Sequence, residues 1–169
     1  MAEEIQAQED VSLRDADLEL NEYLIKEEEV ILKTHQRIHP DYSGRIQRIE
    51  QGYVEVVLET IKEMLADDMG LIHGGFIFSA ADYAAMAAVN ERNVVLVATD
   101  CQFLSPVKLG SKVTFKATVR HKEGRKRNVN VEAYVLDIKV FEGTFKTVVT
   151  ERHVLKLKLI DEKEEVPNT

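Results

Sequence analysis

Between Met69 and Val89 the chain carries a single formal charge, Asp82, in a run otherwise dominated by glycine, alanine and apolar side chains. A run of this length could cross a bilayer. Two features argue otherwise. Alanine and glycine are only weakly apolar, and a carboxylate at mid-span is costly in hydrocarbon. The flanking segments also read as strands of a sheet. The run is therefore expected to be an internal helix, from about Phe76 to Asn90. Ala80, Ala81, Ala84, Ala85, Ala87 and Ala88 leave it almost no side-chain bulk. So thin a helix can sit very close to a curved sheet. That points to an α+β layout with one helix against one sheet face.

The flanks support this layout. Arg45–Glu50 and Tyr53–Leu58 read as two strands joined at Gln51-Gly52. Val94–Phe103 is a third strand, followed by a turn containing Pro106 and Gly110. Val113, Phe115, Ala117 and Val119 alternate with polar residues, which marks a strand with one wet face. His121–Arg127 is expected to be a basic loop around Gly124. Val129–Val135 and Val140–Val149 are further strands, and Val154–Ile160 is a possible extension of the sheet. Strands that follow one another through short turns are expected to pair antiparallel.

Charge separates the N-terminus from the rest. Residues 1–30 hold eleven acids against two bases, Arg14 and Lys26. The formal net charge of the whole chain is −8, so the remainder is nearly neutral. That balance excludes nucleic acid as the main partner, because duplex binding needs a basic footprint. Leu13, Leu20, Leu24, Ile31 and Ile38 form one narrow apolar stripe. They predict an acidic helix that opens at a capping-box-like Ser12-Leu13-Arg14-Asp15 and runs to about His39, where Pro40 stops it. The expected organisation is an acidic extension with this helix over 1–43, a domain over 44–160 and a charged tail over 161–169. Cys101 is the single cysteine, so no intrachain disulfide can form. With no secretory signal visible, a cytoplasmic location and no membrane span are expected.

The candidate chemistry lies in His73-Gly74-Gly75 and Asp82. Glycines at a helix start leave N–H groups that have no intrahelical partner, where the helix dipole is positive. A developing oxyanion would be stabilised there. Asp82 lies seven residues past Gly75, roughly 10 Å further along the axis. One chain's Asp82 cannot easily serve a carbonyl held at its own glycines, whereas a two-fold dimer could supply it from the partner. The plainer reading is a turn that needs glycine and a carboxylate that caps a neighbour or faces an interface.

The run Gly70-Leu71-Ile72-His73-Gly74-Gly75-Phe76-Ile77-Phe78-Ser79-Ala80-Ala81-Asp82, with Asn90 after it, resembles the hotdog-fold acyl-CoA thioesterases of the phenylacetate-pathway type. Phe103–Gly110 is similar to that family's following strand and turn. The resemblance covers about residues 44–150. It implies a curved antiparallel sheet wrapped around the alanine-rich helix. It also implies Asp82 as nucleophile or general base, the Gly74 N–H as the group that polarises the thioester carbonyl, and His73 as the residue that orients the loop. Gly75 and Thr99 would contact substrate. The family often has an asparagine before HGG, where this chain has Ala66-Asp67-Asp68. Coenzyme A would enter as part of the substrate, with no separate cofactor and no metal. The protein is expected to be a homodimer or a dimer of dimers.

Arg125, Lys126 and Arg127 are candidates for the coenzyme A phosphates, and a solvated hairpin is the alternative. His35 and His39 are four residues apart and read as partners of a helix C-terminus. The competing function is a non-catalytic acyl-CoA sensor. The last strands resemble the malonyl-CoA-sensing domain of the bacterial fatty-acid-synthesis repressor, in Val131–Val135 and Val140–Phe145. That sensor lacks a carboxylate at the position of Asp82.

Overall fold

The computed structural model describes residues 30–156. The expected helix start at Ser12, the stripe from Leu13 to Leu24 and the tail from 161 lie outside them. Six strands and one long helix form the body. The elements are α1 (Pro40–Ser43), β1 (Arg45–Glu50), β2 (Tyr53–Glu59), α2 (Gly74–Val89), β3 (Val94–Phe103), β4 (Lys112–Glu123), β5 (Lys126–Val135) and β6 (Ile138–Val149). They make one antiparallel sheet in the order β1-β2-β4-β5-β6-β3. This is the hotdog fold, with the sheet curved around α2.

Period-two patterning puts the core on the helix side. Val54, Val56 and Leu58, Val113, Phe115 and Ala117, and Val129, Val131 and Ala133 are all fully buried. Against them lie the six alanines of α2, also buried. Small side chains let the helix axis approach the sheet with close-packed contact. Gly74 and Gly75 extend the helix back beyond the expected start at Phe76. Asn90 closes it in the left-handed conformation, with its N–H bonded to the Met86 carbonyl.

Five expectations are corrected. β3 and β4, which follow one another through the turn with Pro106 and Gly110, do not pair, because α2 carries the chain beneath the sheet. β3 therefore pairs with β6 at the far edge, and β2 pairs with β4. Residues 30–39 form no helix, and Pro40 opens α1 instead of stopping one. Proline suits a first helical position, since its missing N–H would be unpaired there anyway. Leu32 and Ile38 both pack against the core. On a helix, residues six apart would point about 120° apart. His35 has a positive φ, and His39 caps α1 by accepting the Asp41 N–H, so neither sits at a helix C-terminus. The basic loop over 121–127 shrinks to a tight hairpin at Gly124-Arg125, with Lys126 and Arg127 already in β5. Val154–Lys156 is a 3-10 turn, not a strand, and 157–160 lie outside the described residues.

Candidate active site

α2 places Asp82 at its middle, half-buried among apolar neighbours. One carboxylate oxygen, Oδ1, is buried and has no hydrogen-bond partner among the described residues. Desolvation pushes the Asp82 pKa up to about 6. Phe78, one turn earlier, stacks on Phe145 with ring centroids 5.7 Å apart. Thr99 is the cross-strand partner of Phe145, so it lies on the helix side of the edge strand, exposed. Thr99 and the Asp82 side of the helix thus look toward the same edge of the sheet.

The glycines stand at the other feature, the helix N-terminus. His73 is the N-cap residue, in extended conformation, and its side chain makes no capping bond. Its N–H is held by the Met64 carbonyl at 2.9 Å, and its carbonyl accepts the Phe76 N–H at 3.1 Å. These backbone bonds tie His73 to the loop at Met64 and to the first turn of α2. The Gly74 and Gly75 N–H groups, at the first two helical positions, have no intrahelical acceptor. Both positions are crowded on the Cα side. A Cβ on Gly75 would lie 2.8 Å from His73 Nε2, and one on Gly74 would lie 3.1 Å from the Phe103 ring.

Asp82 and Gly74 are not brought together within one chain. They are eight residues apart on one helix, roughly 12 Å along its axis. Gly74 lines a cleft of ≈ 290 Å³ with Phe103, Leu104 and Val140, and Asp82 is not among the lining residues. A larger hollow of ≈ 700 Å³ lies on the outer, polar side of the sheet, near Lys116, Glu132 and Glu142, and contains neither residue.

The basic hairpin is also remote from the glycines. Phe103 by Gly74 pairs with Phe141, whereas Arg127 pairs with Thr147, six residues further along β6. At the rise of a strand that is roughly 20 Å. Arg127 is buried, and its guanidinium donates to the Gly124 and Lys126 carbonyls at 2.7 and 2.9 Å. Arg125 and Lys126 are exposed. Among the described residues, no three His, Cys, Asp or Glu side chains cluster as metal ligands do. No helix there is long and apolar enough to cross a membrane.

The sequence reading assigned no role to Phe103, Leu104 and Val140, although they wall the space beside Gly74. The signal was available in part, since Phe103-Leu104-Ser105-Pro106 is an apolar strand end broken by a proline.

A thin buried helix inside a curved antiparallel sheet, glycine-opened and carrying one carboxylate, defines a class. The chain belongs to the thioesterase superfamily, whose profile matches residues 69–142. Its backbone is similar to the crystal structure of an uncharacterized protein from Pyrococcus horikoshii. That match has a TM-score of 0.74 and 46% identity, and covers 75% of this chain and 97% of that one. The PaaI protein from the phenylacetic acid degradation operon of E. coli matches with a TM-score of 0.60 and 26% identity, over 64% of this chain and 80% of that one. Among curated proteins, methylthioribose-1-phosphate isomerase of Aquifex aeolicus is 50% identical over 117 residues, 69% of this chain but 26% of that protein. Transcription factor FapR of Thermoanaerobacter sp. is 28% identical over 100 residues, 59% of this chain and 50% of that protein. The chain thus spans a quarter to a half of the curated relatives it matches.

Proposed function

We propose that this domain hydrolyses acyl thioesters of coenzyme A or of an acyl carrier protein. The observation that carries the reading is the buried, unpartnered Oδ1 of Asp82 on an otherwise apolar helix. A structural carboxylate would have a donor, because a buried unpaired acceptor costs stability. The Gly74 N–H polarises the thioester carbonyl, and negative charge developing on oxygen is stabilised at the helix N-terminus. Asp82 acts in one of two ways. It takes a proton from water as the hydroxyl adds to the carbonyl carbon, or it attacks that carbon itself and water then cleaves the anhydride. In either case the C–S bond breaks, the acyl group ends as carboxylate and the thiolate leaves, needing little acid help.

The separation of Asp82 from Gly74 makes the site composite. β3 is the end strand of the sheet, and Val97 on it is 59% exposed. A second β3 added there would continue the sheet and set a second α2 beside the first. Each Asp82 would then face the other chain's glycines. The same pairing would move the partner's Arg125 and Lys126 relative to this chain's helix N-terminus, which is the arrangement a phosphate role for them needs.

A second reading, acyl-CoA binding without hydrolysis, rests on the resemblance of the last strands to the malonyl-CoA-sensing domain; similarity to a transcription factor, FapR, is in keeping with a non-catalytic role. One experiment separates the two. Thiol release is followed over a panel of acyl-CoA thioesters with wild type and Asp82→Ala. Turnover that disappears in the variant is expected. Saturable binding with no turnover in wild type would establish the sensor reading, and equal turnover in both proteins would refute the role of Asp82.

A further inference from the structure

The cleft beside Gly74 has a hydrocarbon floor and a partly exposed lip. Ile77, Val107 and Val140 on its floor are buried. Phe103 and Leu104 form the lip and are 56% and 44% exposed. Ser105 supplies the one polar side chain among the lining residues. The lip is held at both ends of its backbone and ring. The Leu104 and Ser105 N–H groups donate to the Val140 carbonyl at 2.8 and 3.3 Å. The Phe103 ring lies edge-on to Phe141, 5.2 Å between centroids. It also stands over Gly74, where a side chain of any size would meet it.

Position and chemistry identify the occupant. A carbonyl that accepts from the Gly74 N–H has one substituent next to this cleft. The thioester offers two, an acyl group and a pantetheine arm with two amides. The lining side chains are hydrocarbon apart from Ser105, so amides would find only backbone partners there and the acyl group is the better fit. Volume sets the size. An apolar cavity of about 150 Å³ holds benzene, which is roughly 25 Å³ per carbon. A cleft of ≈ 290 Å³ then accommodates about ten carbons on the same scale.

We propose that this cleft holds the acyl group of the thioester, takes chains of up to about ten carbons, and has its limit set by Phe103 and Leu104. The inference rests on Gly74 as the carbonyl site. Phe103 and Leu104 are specificity-determining residues on this account.

The test is binding of acetyl-, butyryl-, octanoyl-, decanoyl- and palmitoyl-CoA, with free coenzyme A as reference, to Asp82→Asn protein, which holds substrate without cleaving it. Affinity is expected to tighten by up to about fourfold per methylene through octanoyl, and to level off beyond decanoyl. Phe103→Ala in the same background should move the plateau to longer chains. Leu104→Trp, on a half-exposed side chain, should move it to shorter ones and serves if Phe103→Ala folds poorly. An unmoved plateau in both variants would overturn the proposal, as would equal affinity for free coenzyme A and every thioester. Wild-type turnover is scored separately. The expected length dependence without thiol release would sink hydrolysis and keep the cleft. Hydrolysis with a flat length dependence would sink the cleft and keep hydrolysis.

Discussion

Replacing Asp82 with asparagine should remove turnover and at the same time stabilise the fold, by an amount that depends on pH. The carboxyl titrates at about 6 in the folded chain against an ordinary 3.8. The folded state therefore binds the proton more tightly than the unfolded state. Stability is lost as pH rises from 3.8 through 6, and the full penalty is present above that window. A shift of this size corresponds to about 3 kcal/mol at pH 7.5, about 1.5 at pH 5 and about 0.6 at pH 4. Asparagine has nearly the same shape and no charge, so the variant escapes the penalty. Denaturant unfolding of both proteins at these three pH values measures the difference. Protomer concentration must be held fixed, because assembly would otherwise shift both curves. Other carboxylates titrate identically in the two proteins and cancel. A stability gap that does not change with pH would refute the reasoning. An asparagine variant less stable than wild type at pH 7.5 would mean that the carboxylate has a donor beyond its own chain.

Three further outcomes are expected. If Asp82 must be ionised to act, kcat/KM rises through a limb near pH 6 and is about tenfold below its plateau at pH 5. A profile flat from pH 5 to 8 would count against it. Gly143→Ala should destabilise by about 1–3 kcal/mol, because its Cβ would lie 2.7 Å from the Cys101 Cβ and 3.1 Å from the Asp100 carbonyl oxygen on the neighbouring strand; an unchanged unfolding midpoint would contradict this. Val97→Lys places a charge on the exposed bulge of β3 and should blunt strand pairing. Light scattering should show a smaller particle, and turnover should fall with it, whereas full activity in a monomer would refute the composite site.

Local pattern carried most of the fold. The alternation in β4 and β5 and the alanine run in α2 each report a face and a period, and the structure places those residues in the core. The failures share a cause. The stripe Ile31–Ile38 has helical spacing, yet Ile31 is exposed while Leu32 packs inward, because the body selects a turn there. Pro40 signals a helix end equally well from either side, and only the path of the chain decides which. The hairpin at Gly124-Arg125 was hidden by charge, since Lys122 and Lys126 read as loop but sit on the wet ends of paired strands. At the candidate site, residue type singled out His73, the glycines and Asp82, because each departs from its surroundings. Phe103 and Leu104 did not stand out, since apolar residues at a strand end are what a core also requires.

The geometry of α2 links these observations. A helix with Gly74 at one end and Asp82 in its middle fixes their separation at roughly 12 Å, and no side-chain rotation can close it. On the proposed mechanism, a single chain therefore holds an oxyanion site without a base and a base without a substrate. Of the residues left partly exposed on α2, Gly75, Phe78, Ser79, Asp82 and Val89 recur at helical spacing along one stripe, with Gly74 and Phe76 of the first turn to either side of it. Through Phe78 and Phe145 that stripe leads to Thr99 on β3, an end strand whose outer edge has no neighbouring strand among the described residues. The uncovered edge and the unpaired carboxylate thus lie on one side of the molecule. Val97→Lys and Asp82→Asn should consequently fail in different ways. The first loses assembly and turnover together. The second keeps the assembly and loses turnover alone.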